Sequence, residues 1–216
     1  MKEPRYLPSP KPPKEKVHWK GSVLLAPVPP VMVTVGTMED ANILTVGWTG
    51  IVCTHPPMTY ISVRPSRHSY AYLQKYKEFA IHLTPAHLVR EADFCGMYTG
   101  AKIDKFEKCH FDKEAAQAIS CPLIAQAPLS LECKVKQILP LGTHDLFLAE
   151  IVAVNADPAL LDDLGKLNLS RANLAAYAHG EYFALGKQLG TFGFSAAKGK
   201  PSGKRRSKPK KVQSKS

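Results

Sequence analysis

Three short stretches carry residues whose types and spacing suit chemistry. Arg64-Pro65-Ser66-Arg67-His68-Ser69 places two arginines and two serines within six residues, between an expected strand end and an expected helix start. Helix N-terminal amides point outward, and guanidinium and hydroxyl groups add charge-assisted hydrogen bonds, so this stretch suits a phosphate-like anion. The same residues also make an ordinary polar loop with Ser66 as a helix cap. In Asn42-Ile43-Leu44-Thr45-Val46-Gly47-Trp48-Thr49 a tryptophan stands beside glycine among amide and hydroxyl side chains. That suits a flat heteroaromatic ring held against backbone amides, the alternative being Trp48 as core filler. Gly100-Ala101-Lys102-Ile103-Asp104-Lys105-Phe106 reads as a loop that presents a cation at a ligand's edge, or as a solvated charged loop. His144, after a turn at Gly142, is a candidate ring contact or a turn residue.

Other chemistries lack their residues. His55, His82, His87, His110 and His179 show no metal-ligand spacing. Five cysteines, an odd number without a Cys-x-x-Cys pair, argue against a disulfide framework and a structural zinc site. Cys95, Cys109, Cys121 and Cys133 read as small buried hydrophobes. There is no Gly-x-Ser-x-Gly elbow for a serine hydrolase. No Gly-x-Gly-x-x-Gly and no βαβ rhythm support a Rossmann domain.

The elements that must position these residues are mostly strands. Runs rich in β-branched and aromatic residues predict strands over 31–35, 43–53, 59–63, 79–83, 129–139, 144–154 and 181–185. Gly47 and Gly50 bend the second of these, and a Pro140–Gly142 turn makes a long hairpin of the fifth and sixth. Helical spacing is confined to 70–76, with Ala71 and Leu73 on its apolar side, and to 88–97, with Leu88, Ala92 and Cys95. Many strands and few helices predict a mainly β fold, a closed barrel with peripheral helices at its mouth.

Charge separates this body from its ends. The chain of 216 residues carries a formal net charge of +11, which alone would raise nucleic acid as a partner. Residues 1–20 hold six basic and two acidic residues, 197–216 nine basic and none acidic, and 21–196 fourteen basic against sixteen acidic. The excess therefore lies in a Pro/Lys-rich lead-in and a basic tail, both expected to be disordered. No nucleic-acid partner is expected for the near-neutral domain over 21–196. No apolar run reaches the roughly 18 residues of a membrane span, no apolar leader precedes the domain, and a cytoplasmic location is expected.

Taken in order, the segments resemble the flavin reductase-like family, whose fold is the FMN-binding split barrel. The resemblance rests on the run from Pro30 to Thr37, Asn42 to Trp48, Pro56-Pro57-Met58, Ser62 to Ser69 and Asp93-Phe94-Cys95-Gly96. Asp104-Lys105-Phe106, Pro122-Leu123, Leu131-Glu132-Cys133 and the strand from His144 to Glu150 complete it. It is nearest the flavoredoxin-like branch. It implies that Asn42, Thr45, Val46, Gly47, Trp48 and Thr49 line the flavin ring, and that Ser62, Arg64, Arg67 and Ser69 hold the phosphate. Lys105 and His144 would lie near the ring, and Tyr177, Tyr182 or Phe183 would close the site. The resemblance further implies a homodimer with flavin at the subunit junction and NAD(P)H as co-substrate. The acceptor would be free flavin, a ferric complex or a protein. Chemistry would reside on FMN, without a catalytic side chain or a metal. The alternative within the family is a non-enzymatic FMN carrier without its own NAD(P)H site.

Overall fold

The computed structural model describes residues 11–12 and 15–196. The basic tail at 197–216 and much of the Pro/Lys-rich lead-in lie outside the described residues. Gly21–Gly186 forms one compact unit and holds every helix and strand described below.

The strands are β1 (Val31–Gly36), β2 (Ala41–Val46), β3 (Thr49–Cys53), β4 (Met58–Val63) and β5 (Glu78–His82). Helix α1 (Ser69–Tyr76) stands between β4 and β5; α2 (Val89–Met97) and α3 (Lys105–Lys108) follow β5. Two-residue strands β6 (Lys113–Glu114) and β7 (Leu123–Ile124) precede the long hairpin β8 (Leu129–Pro140) and β9 (Asp145–Ala156). A last hairpin joins β10 (Ala175–Ala178) to β11 (Glu181–Ala184).

Seven strands pair antiparallel in the order β2-β1-β5-β8-β9-β4-β3. The sheet curls into a half-barrel, yet among the described residues no ladder joins its outer strands β2 and β3. The β-barrel with peripheral helices expected from sequence is present in this split form. The expected strand over 43–53 is two strands, because the chain turns at Gly47 and Trp48 to cross from one edge of the sheet to the other. At that seam the Ser62 amide donates to the Trp48 carbonyl at 2.9 Å.

Alternation decides which face each residue buries. Val31, Val33 and Val35 of β1 point into one cluster with Ile61, Phe79 and Phe147. Met32 points the other way, against Ile43, Ala92, Cys95 and Phe106 beneath α2 and α3. Buried on both faces, β1 is therefore an almost continuous apolar run. In β4 the two-residue period sinks Thr59, Ile61 and Val63 and leaves Tyr60 and Ser62 on the opposite face. The β8–β9 turn passes through Gly142 at φ 98°, a left-handed conformation that glycine adopts without strain.

One buried polar chain ties three strands together. Thr34 Oγ1 donates to the Pro122 carbonyl at 2.7 Å and so accepts from His82 Nε2 at 3.1 Å; His82 Nδ1 then accepts from Ser130 Oγ at 2.8 Å. Burial pushes His82 down to about 3 from an ordinary 6.5. The unfolded chain takes up this proton below 6.5 while the folded chain refuses it until far lower. Stability should therefore fall as pH falls, by about 1.4 kcal/mol per pH unit in that window. Urea titrations should find the wild type about 2 kcal/mol less stable at pH 5 than at pH 7 from this residue. His82→Asn should flatten that dependence.

Candidate functional site

Three recesses share walls along the seam. The central one, about 330 Å³, is lined by Thr45, Val46, Gly47, Trp48, Ser62, Arg64, Arg67 and His144. A corner recess of about 100 Å³ shares Thr45 and Arg67 with it and adds Asn42, Ser66, Ser69, Gly96, Gly100 and Lys105. An apolar recess of about 600 Å³ shares Gly47 and Trp48 and adds Thr49, Tyr60, Tyr177 and the segment from Ser22 to Val28. All twelve site residues expected from sequence thus lie on one connected surface, eight of them in the central recess.

The local fold explains that convergence. β2 ends at Val46 and β4 at Val63, and the seam holds these two ends together although they lie far apart in strand order. Just past β4, the Arg67 amide donates to the Arg64 carbonyl at 3.0 Å and the Tyr70 amide to the Arg67 carbonyl at 2.9 Å. This tight turn launches α1 and sets both arginines beside the recess. The position before α1 is His68, which makes no side-chain cap bond, so Ser66 does not cap this helix.

The corner recess is held rigidly. Asn42 Nδ2 donates to Ser69 Oγ at 2.7 Å, both side chains being buried. Because Ser69 Oγ accepts there, its own proton is free to point elsewhere. Gly100 closes against Asn42 so tightly that a Cβ would stand 2.1 Å from Asn42 Oδ1. Gly100→Ala should therefore displace the amide and break its buried bond, destabilising the protein by about 2 kcal/mol. Chemical denaturation measures this, and an unchanged midpoint would show that the loop yields instead.

Lys105 is 4% exposed, and its ammonium donates to the carbonyls of Ile43 at 2.6 Å and Cys95 at 2.7 Å. The loop expected around it contains α3, whose N-cap Asp104 accepts from the Glu107 amide at 3.2 Å. Burial lowers the affinity of Lys105 for its proton; the neighbouring Cys95 opposes this shift and Arg67 adds to it. Thr45 Oγ1 donates to the Ala92 carbonyl, which pins α2 to β2. Thr49 Oγ1 donates to the Tyr60 carbonyl at 2.7 Å.

In the central recess the rings of Trp48 and His144 lie parallel, 7° apart with centroids 6.2 Å apart. Burial, then the charges of Arg64 and Arg67, lowers the His144 pKa, which favours the neutral imidazole. Arg67 Nη1 donates to the Gly96 carbonyl at 3.2 Å, which uses one of five donors. Of the three aromatic candidates, Tyr177 lines the apolar recess. The Tyr182 hydroxyl donates to Asp93 on α2 at 3.1 Å, and Phe183 is half exposed. Sequence reasoning missed the walls from Ser22 to Val28 and at Tyr60. The signal for the first was an apolar run, Val23-Leu24-Leu25, placed just ahead of three prolines.

Solved structures share this arrangement of strands. The flavoredoxin of Desulfovibrio vulgaris (Miyazaki F) is 25% identical, with a TM-score of 0.78 over 85% of this chain and 100% of that one. The FMN-binding protein from Thermus thermophilus, solved with bound 1-cyclohex-2-enone, is 22% identical, with a TM-score of 0.70 over 82% of this chain and 99% of that one. An uncharacterized protein of Pyrococcus abyssi (strain GE5 / Orsay) is 24% identical over 163 residues, 76% of this chain and 93% of its own. The flavin reductase like domain matches residues 25–186, which include the central and corner recesses and all of the apolar recess but Ser22, Val23 and Leu24. With the curled sheet, its seam and a family match over three-quarters of its length, this chain belongs to the flavin reductase-like family and has the split-barrel fold.

Proposed function

We propose that this protein is an oxidoreductase that holds FMN along the joined recesses, accepts hydride from NAD(P)H and passes electrons to free flavin, a ferric complex or a protein. One observation carries the reading: a corner that holds Arg67 and Ser69 opens directly onto a recess walled by Arg64 and the parallel Trp48 and His144 rings. The residues fit the group, because a phosphate needs fixed donors and cations at one end and a flat ring needs aromatic and backbone walls at the other. When bound, FMN supplies two-electron redox chemistry.

The chain's own contributions follow from the bonding already described. Arg67 offers its unused donors and Arg64 a second cation, while Ser69 turns its free hydroxyl proton toward the phosphate. Asn42 orients Ser69. His144, neutral, keeps Nδ1 with Thr143 Oγ1 at 2.9 Å and leaves Nε2 for the ring. Gly47 and the backbone of Val46 and Thr49 let the ring approach closely, and Trp48 excludes water from one side of it. Lys105 contributes by holding β2 and α2 at fixed spacing.

The protein acts as a homodimer in the cytoplasm on this reading. Support for association comes from the apolar side chains of Ile51, Val52 and Val154, which β3 and β9 leave exposed. No helix among the described residues is long and apolar enough to cross a membrane.

Gel filtration with a visible spectrum of the protein peak tests the cofactor and the dimer together. A yellow peak at twice the chain mass is expected; colourless protein that takes up no FMN on titration overturns the reading. Rapid mixing of the loaded protein with NADH and with NADPH should bleach the flavin. Stable colour with both would leave an FMN-carrying electron-transfer module in place of a reductase.

A further inference from the structure

Two thiols meet behind the corner recess. Cys95 on α2 is buried, Cys109 at the end of α3 is partly exposed, and their Sγ atoms lie 3.8 Å apart. Cys121 and Cys133 face Thr34 and the Leu131 carbonyl instead, and Cys53 stands on the outer strand β3. The segment between the paired thiols carries Gly96, Thr99, Gly100 and Lys105, all in the wall of the corner recess. Its two ends are already drawn together: Lys105 donates to the Cys95 carbonyl at 2.7 Å, and the Cys109 amide donates to the Lys105 carbonyl at 3.1 Å. Glu91, one turn before Cys95 on α2, has a buried carboxylate oxygen with no partner among the described residues, and its charge acts on both thiols.

We propose that Cys95 and Cys109 are a reversible redox pair that a hydroperoxide converts to a disulfide, closing segment 95–109 and stiffening the wall of the corner recess. The partly exposed Cys109 meets the oxidant first. Its sulfur takes the distal peroxide oxygen, the O–O bond breaks, and the thiol proton passes to the leaving oxygen, giving a sulfenic acid and an alcohol or water. The Cys95 sulfur then attacks that sulfenic sulfur; the S–S bond forms, the S–O bond breaks, and water leaves with the Cys95 proton. Two thiols lose two electrons, and one hydroperoxide becomes alcohol and water. A dithiol reverses the step by exchange. Burial holds both thiols up, so proximity and not acidity selects this pair.

The test uses the full chain without added flavin, which keeps it independent of the cofactor reading. After hydrogen peroxide treatment and alkylation under denaturing conditions, peptide mapping should find Cys95 and Cys109 in one linked species, lighter by about 2 Da than its two thiol peptides and split by dithiothreitol. Hydrogen exchange over 96–108 should slow on oxidation and recover on reduction. Cys109→Ser, at a partly exposed position, should abolish both changes. Alkylated Cys95 and Cys109 after peroxide, a link between other cysteines, or a linked pair with unchanged exchange would each overturn the proposal.

Discussion

Arg67→Ala is expected to weaken FMN binding by about 30- to 100-fold, the loss of a charge-assisted, two-pronged contact to a phosphate. The side chain is exposed, and its one bond among the described residues is the 3.2 Å contact to the Gly96 carbonyl, so the fold should survive with little change in Tm. The same substitution removes a charge that helps lower the His144 pKa, so that pKa should move up. Fluorescence-quenching titration of FMN reads the affinity, and NMR of the imidazole reads the shift. Arg67→Lys should recover only part of the affinity, since a lysine keeps the charge and loses the planar fork. Unchanged affinity in Arg67→Ala would place the phosphate elsewhere and take the corner recess out of the site.

Lys105→Ala should act differently, as a loss of stability. Its ammonium satisfies two buried carbonyls, and its aliphatic stem fills space between β2 and α2. Removing both is expected to destabilise the protein by about 3–5 kcal/mol. Lys105→Met restores the stem and leaves the carbonyls unsatisfied, so about 2 kcal/mol should remain. Denaturant midpoints separate the two variants. FMN retention should fall in both as the corner wall loosens, and it should fall less in Lys105→Met. Equal stability of all three proteins would mean that water replaces the ammonium without loss.

Which features are legible in the sequence depends on how local their causes are. The strands are legible because β-branched runs and two-residue alternation act over five or six residues. The long hairpin at 129–156 is legible because a proline and a glycine mark its turn. The gathering of Arg64, Arg67 and Ser69 beside adjoining recesses is legible, since a strand end followed by a helix start states their position directly. The separation of β2 from β3 is harder, because Gly47 and Gly50 signal a bend without saying that the chain there changes edges of the sheet. The direction of Lys105 is not legible at all. A four-residue helix is too short to show a period, and the carbonyls that receive its ammonium lie ten and sixty-two residues away. The strap at 22–28 shows the same limit, as its partners Trp48, Tyr60 and Tyr177 are brought to it only by the folded sheet.

The seam at Gly47 and Trp48 has a bearing on how the molecule reaches its native state. β2 and β3 are neighbours in sequence and opposite extremes in lateral order. The recess between the end of β2 and the end of β4 closes only when the intervening ladders are in place, including the distant pairings of β5 with β8 and of β4 with β9. Such contacts form late, after the loop-closure entropy of the long-range pairings has been met. The recess between Trp48 and Arg64 is thus assembled at the end of folding, and its capacity to take up a ligand reports the completion of the whole sheet.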